Sequence, residues 1–280
     1  MGNIERGAPA NARPDAQNYA DADRSPSASG SSYAAQVAAG WRELSQAQKG
    51  ASKSAPAYSR YVNRKIGRLF AALAVPLGVS PNQITMLSAL FTTAGILLIA
   101  LVPVGLGAGI AAAVLMAVGY ALDSSDGQVA RLQRSGSLAG EWLDHCVDAV
   151  KTSALPLAVA VGLYRAQIEP QWYLLVPLAA CVIGASTFFL MILTEQFRLR
   201  LGVKGVSAEN GAKPSILRAL LVLPMDYGVM CWVFVLWGIP QLFLPVYALI
   251  TLGAAGFLVL AMRKWFKEIT ALVREPKDAS

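Results

Sequence analysis

Six long apolar runs dominate the chain, at approximately 82–103, 105–124, 141–163, 171–194, 216–238 and 240–262. Each approaches the roughly 20 residues that carry an α-helix across a bilayer. The pattern predicts an all-α integral membrane protein with six transmembrane helices. Ahead of the first run, Tyr58 to about Leu77 carries two helical periodicities at once. Val62, Ile66, Leu69, Phe70 and Leu73 share one face, while Arg60, Arg64 and Arg68 recur every fourth residue, joined by Lys65. An apolar stripe opposite a basic one suits an interfacial amphipathic helix whose cations face anionic lipid. It suits equally a cytoplasmic helix packed on the membrane domain.

Residues 1 to about 55 are rich in Ala, Ser, Gly, Pro, Asn and Asp, as in Ser25-Pro26-Ser27-Ala28-Ser29-Gly30. Such a stretch buries too little apolar area to offset its ordering entropy. The expected organisation is a disordered tail over 1–55, with a short helix near Ala34–Gln48, then the juxtamembrane helix over 56–80. A six-span domain over 81–265 and a C-terminal tail over 266–280 complete it.

Composition narrows the class. Of 280 residues, 55% are hydrophobic and 15% charged, and the mean hydropathy is +0.47. A soluble domain carries about 25% charged residues, so this chain is too apolar for water. Its first eighty residues hold no early apolar core, and no signal peptide is expected. Three cysteines, Cys146, Cys181 and Cys231, sit in apolar runs without metal-binding spacing, which excludes a disulfide framework and a zinc module. The net charge of +7 belongs to a membrane surface rather than to nucleic acid. Of 24 Lys and Arg residues, all but Lys151 and Arg165 fall on one side of the six-span layout. The positive-inside bias therefore predicts cytoplasmic termini.

Acidic residues cost about 2.5–3.5 kcal/mol each at the centre of a membrane helix. Four nevertheless bracket the second and third runs: Asp123 and Asp126 close one, and Asp144 and Asp148 open the next. Spacings of three and four place each pair on one helix face. A short connection makes the two helices expected antiparallel neighbours with facing pairs. Carboxylates ~5 Å apart repel by about 3 kcal/mol per pair at an effective dielectric near 20, so a positive group must sit among them. All-oxygen ligands favour Mg²⁺, Mn²⁺ or Ca²⁺ over zinc or copper. Helix capping accounts at best for Asp144, because a helix C-terminus disfavours the anions Asp123 and Asp126.

Small residues, Gly127, Ala130 and Gly140, flank the carboxylates, and Arg131 offers bidentate contact to phosphate. Two metal ions and an arginine at the cytoplasmic surface suit a lipid-linked diphosphate. His145 reads as a packed neighbour rather than a base, and Glu141 as a first-turn helix residue. Lys151, three residues after Asp148, reads as neutralising the cluster or contacting an acceptor phosphate. Asp226 is an intramembrane charge that could pair with Lys151 or line an acceptor pocket. Arg198, Arg200, Lys204, Lys213 and Arg218 follow the positive-inside bias, with Lys213 and Arg218 also placed to meet a phosphorylated acceptor.

From Asp123 to Asp148 the chain reads D-x-x-D-G-x-x-A-R-x8-G-x-x-x-D-x-x-x-D. This resembles the signature of the CDP-alcohol phosphotransferase (phosphatidyltransferase) family at every fixed position. Ser80-Pro81-Asn82-Gln83-Ile84-Thr85 is similar to the family's entry into its first span. The resemblance covers roughly 58–265. It implies transfer of a phosphatidyl group from CDP-diacylglycerol to an alcohol, with release of CMP, in phospholipid biosynthesis. It implies that Asp123, Asp126, Asp144 and Asp148 hold two Mg²⁺ or Mn²⁺ ions and that Asp148 is the general base. Gly127, Ala130, Arg131, Ser137, Asn82 and Thr85 would contact the donor, and the chain would be a homodimer. The residues alone do not choose between Asp144 and Asp148 as base. The acceptor leans towards a phosphorylated polyol. Rival readings are transfer from a soluble CDP-alcohol, a divalent-cation transporter, and a catalytically silent scaffold.

Overall fold

The computed structural model describes residues 32–47, 56–202 and 223–274. All regular elements among them are helical: α1 (Tyr33–Ala47), α2 (Arg64–Ala74), α3 (Pro81–Leu101), α4 (Leu106–Gln133), α5 (Leu138–Arg165), α6 (Leu175–Arg200), α7 (Tyr227–Val233) and α8 (Pro240–Arg274). Helices α3, α4, α5, α6 and α8 are long and apolar enough to cross a membrane. The chain is an all-α integral membrane protein. The apolar run expected over 216–238 is different. Its residues 216–222 lie outside the described residues, and the rest is a 3-10 turn (Leu223–Met225), the short α7 and a second 3-10 turn (Phe234–Gly238). Pro224, the extended cap residue Asp226 and Gly238 break that run where hydropathy alone reads it as continuous.

Local chemistry sets the helix boundaries around the acidic residues. Ser80 caps α3 in a reciprocal capping box with Gln83, and Pro81 occupies the first turn. Helix α4 ends at Arg134, which adopts the left-handed conformation with φ 50°. Ser137 then starts α5, its hydroxyl accepting from the Gly140 amide at 3.1 Å. Both helices run further than the apolar pattern indicated, so all four aspartates lie within helix rather than at its ends.

Helix α3 packs against both α4 and α5. The α4 and α5 backbones themselves hardly approach each other, which corrects the expectation of directly packed neighbours. A gap between them is filled differently at its two ends. At one end Trp237, fully buried, enters beside Gly109 of α4 and Gly162 of α5. A Cβ at Gly109 would come 2.8 Å from Trp237 Cβ, and one at Gly162 would come 2.7 Å from Trp237 Cζ2. Phe234, Phe243 and Tyr247 continue this aromatic core, with rings 5.0 to 5.5 Å apart along the Trp237–Phe243, Phe234–Phe243 and Phe243–Tyr247 pairs. At the other end lie the carboxylates.

Helix α2 runs along the acidic end of α4. It packs through small and polar residues: Ala71 is fully buried, and a Cβ at Gly67 would meet Ser124 Oγ and Gln128 Nε2 at 3.0 Å. Asn63 Nδ2 donates to the Tyr120 carbonyl at 2.9 Å. Four of the five apolar stripe residues, Val62, Ile66, Leu69 and Leu73, stay exposed on the protein surface, and Phe70 is half-buried. The helix is thus packed on the membrane domain through one face and apolar outward on another. Helix α1, within the stretch expected to be a tail, lies on α2 with Leu44 buried. Tyr33 there donates to the Leu73 carbonyl at 3.0 Å, and Arg68 of α2 stacks over Trp41 at 4.9 Å.

Candidate active site in the α4–α5 gap

Two turns of α4 and two of α5 present the aspartates to the gap. Asp123 and Asp126 are spaced i,i+3, and Asp144 and Asp148 i,i+4, so each pair shares a face. Lys151 bridges the two helices: its Nζ donates to Asp123 Oδ1 at 3.1 Å and lies 2.5 Å from Asp148 Oδ1. Side-chain exposures of 11%, 16% and 26% for Lys151, Asp123 and Asp148 set this triad deep in the gap. The Tyr227 ring of α7 closes it from another side, its centroid 5.4 Å from the ammonium.

Asp126 is held in another way. The Thr85 hydroxyl of α3 donates to its Oδ2 at 2.7 Å, and the Gly127 amide donates to Oδ1 at 2.5 Å. These bonds use two of the roughly four lone-pair positions of a carboxylate and leave the rest for a ligand. Asp144, His145 and Asp148 each offer a ligand atom within 4.8 Å of the others. Glu141 Oε1 sits 3.8 Å from His145 Nε2, one turn away on α5.

A cavity of about 510 Å³ opens beside Asp126 and Asp144. Asn82, Thr85, Gly127, Ala130 and Ser137 line it, together with Gly140 and Glu141. A Cβ at Gly127 would meet nothing within 4 Å, so that position faces open space. Gly140 is tighter, with Asn82 Oδ1 at 3.1 Å from such a Cβ. Asp123 and Asp148 do not line this cavity; they lie with Lys151 instead. Arg131 does not line it either. The residue is exposed.

Three features depart from the sequence reading. Asp226 does not pair with Lys151: it is 1% exposed and accepts from the Tyr58 amide at 2.8 Å and the Gly228 amide at 3.2 Å. It thereby caps α7 and ties the start of the juxtamembrane segment to it. Tyr58 completes that tie, accepting from Trp232 Nε1 at 3.1 Å, with its ring seated where a Gly228 Cβ would be. His145 packs edge-on to Phe188, as a packed neighbour should, yet also falls within the carboxylate set. Its adjacency to Asp144 was the available signal. Tyr227, over Lys151, had none in the local pattern. Lys204, Lys213 and Arg218 lie outside the described residues.

A sequence model of the family described as CDP-alcohol phosphatidyltransferase matches residues 78–260. A phosphatidylinositol phosphate synthase of Corynebacterium glutamicum is 38% identical over 101 residues, 36% of this chain and 44% of that protein. An archaetidylinositol phosphate synthase of Pyrococcus horikoshii is 33% identical over 98 residues, 35% of this chain and 47% of that protein. The matched stretch thus spans less than half the length of each relative. Among solved structures, the phosphatidylinositol phosphate synthase of Mycobacterium tuberculosis, in complex with manganese and citrate, aligns with a TM-score of 0.46 and 20% identity. That alignment covers 70% of this chain and 87% of the other.

Proposed function

We propose, from the premise that this chain belongs to the CDP-alcohol phosphatidyltransferase family, that it transfers a phosphatidyl group from CDP-diacylglycerol to an alcohol and releases CMP. The observation that carries this reading is the cavity beside Asp126 and Asp144, walled by Gly127, Ala130 and Gly140, where a bulky diphosphate can approach the backbone. Its donor contacts would be Asn82, Thr85, Gly127, Ala130 and Ser137. Arg131, long and exposed, would swing in to meet phosphate.

The all-oxygen donor set fits Mg²⁺ or Mn²⁺, and the close approach of the Asp144 and Asp148 ligand atoms supports it. Asp123, Asp126, Asp144 and Asp148 would hold two such ions. When bound, the ions neutralise the diphosphate and stabilise departing CMP. Asp148 would take the proton of the acceptor hydroxyl, its carboxylate fixed in place by the neighbouring Lys151 ammonium. A second reading gives that role to Asp144, because Asp144 lines the cavity and Asp148 does not.

The acceptor proposed is a phosphorylated polyol, with inositol phosphate first to test, since both curated relatives are named as inositol phosphate lipid synthases. The Lys and Arg distribution supports cytoplasmic termini and a cytoplasmic site, and family membership supports a homodimer. The test is CMP release by purified protein with CDP-diacylglycerol and Mg²⁺ across a panel of alcohols. Release that needs metal and one acceptor is expected. Release only from soluble CDP-alcohols with a lipid acceptor would replace the donor assignment, and none from either would sink the enzymatic reading.

A further inference from the structure

The carboxylates divide into two halves. Deep in the gap, Asp123 and Asp148 share the Lys151 ammonium, at 3.1 and 2.5 Å. Nearer the cavity, Asp126 and Asp144 face open volume, and neither forms an ion pair among the described residues. We propose that Lys151 is a resident cation of this centre, taking the place of one divalent ion until a diphosphate enters. The inference rests on the divalent-ion reading above and deepens it.

Charge and burial support it together. The four carboxylates carry four negative charges, of which Lys151 cancels one and a first divalent ion two more. A second divalent ion would balance the four carboxylates by itself and leave the charge of the buried ammonium uncompensated. It would also have to take Asp123 and Asp148 from Lys151. An ammonium stripped of its partners in a buried place is strongly unfavourable. Among the described residues, the other carboxylates near Lys151 are Asp126 and Asp144, which the first ion would hold, while the buried Asp226 is engaged by the Tyr58 and Gly228 amides. Tyr227 offers only the face of its ring. An incoming diphosphate changes this balance, since its own negative charge admits the second ion and gives the displaced ammonium a new partner.

The experiment is a Mn²⁺ titration of the full chain in nanodiscs of neutral lipid, read by electron paramagnetic resonance. Two ions about 3.5–4 Å apart, the separation in two-metal sites, are magnetically coupled and lose the resolved six-line spectrum of an isolated ion. The wild type is expected to bind one Mn²⁺ per chain with an uncoupled spectrum. Lys151→Met is expected to bind two, coupled. Adding CDP to the wild type is expected to bring in the second ion. Two coupled ions in the wild type without CDP would overturn the role of Lys151 and leave the metal reading standing. That outcome needs no variant, so misfolding of Lys151→Met does not shield the proposal. One ion in both forms would also overturn it. No tightly bound Mn²⁺ in either form would overturn the divalent-ion reading itself.

Discussion

The gap between α4 and α5 is closed in opposite ways at its two ends. At the Trp237 end, Gly109 and Gly162 have no side chain, so one indole fills the space against both helices. At the aspartate end, the filling is a lysine, a few hydrogen bonds and about 510 Å³ of cavity. The first end is dry and close-packed, where a single methylene is felt. The second is polar and partly empty. The same two helices thus serve as a fixed joint and as a receptacle. The difference teaches that glycine means something different at each end: at 109 and 162 it admits the Phe234 and Ile99 carbonyls together with Trp237, whereas at 127 it faces open space.

The largest effect should come from the receptacle. Asp148→Asn is expected to lower CMP release by about 10²–10⁴-fold, the range for loss of a general base, and to lower the thermal unfolding temperature as well, because the buried Lys151 loses one of its two carboxylate partners. If Asp144→Asn gives the larger loss of turnover with donor affinity kept, the base assignment moves to Asp144. At the joint, Trp237→Ala should lower stability by about 3–5 kcal/mol, measured by thermal unfolding in detergent. The two glycine classes can then be set against each other. Gly162→Ala should lower stability by about 1–3 kcal/mol through overpacking, with the KM for donor unchanged in the folded fraction. Gly127→Ala should leave stability within about 0.5 kcal/mol and raise the KM for donor. The reverse pattern would erase the distinction between the two ends. The smallest effect is that of Ser137→Ala, which removes the α5 cap and should lower stability by about 1 kcal/mol. A rise in donor KM on top of that would show that Ser137 also contacts the donor.

Much of this was legible in the residues because a bilayer makes charge conspicuous. Asp123, Asp126, Asp144 and Asp148 stand out against apolar runs, and their i,i+3 and i,i+4 spacings sufficed to place each pair on one face. Repulsion among them called for a cation, and Lys151 on the Asp148 face was already a candidate for part of that charge. Hidden from the sequence was which partner a buried group meets across the chain. Asp226 binds an amide 168 residues away, and no local pattern encodes that. Packing direction was also hidden for α2, whose prominent stripe of Val62, Ile66, Leu69 and Leu73 faces outward while Gly67 and Ala71 make the contact. Beside lipid, large apolar residues gain little by packing on protein, and small residues let backbones approach. The broken run before Gly238 escaped for a related reason, since hydropathy registers apolarity and not helical continuity.

The short connection from Arg134 to Ser137 has a consequence for how this protein enters its membrane. Asp123, Asp148 and Lys151 all belong to the two helices it joins, so one cation offsets part of the acidic charge within a single helical hairpin. Each of these charges alone would oppose insertion by about 2.5–3.5 kcal/mol at a helix centre. Inserted as a pair, α4 and α5 carry a cation already seated between two anions. Little loop entropy opposes that pairing over so short a connection. The lysine therefore lowers the charge that this acid-rich hairpin would present to lipid, before any contact with the remaining helices is counted.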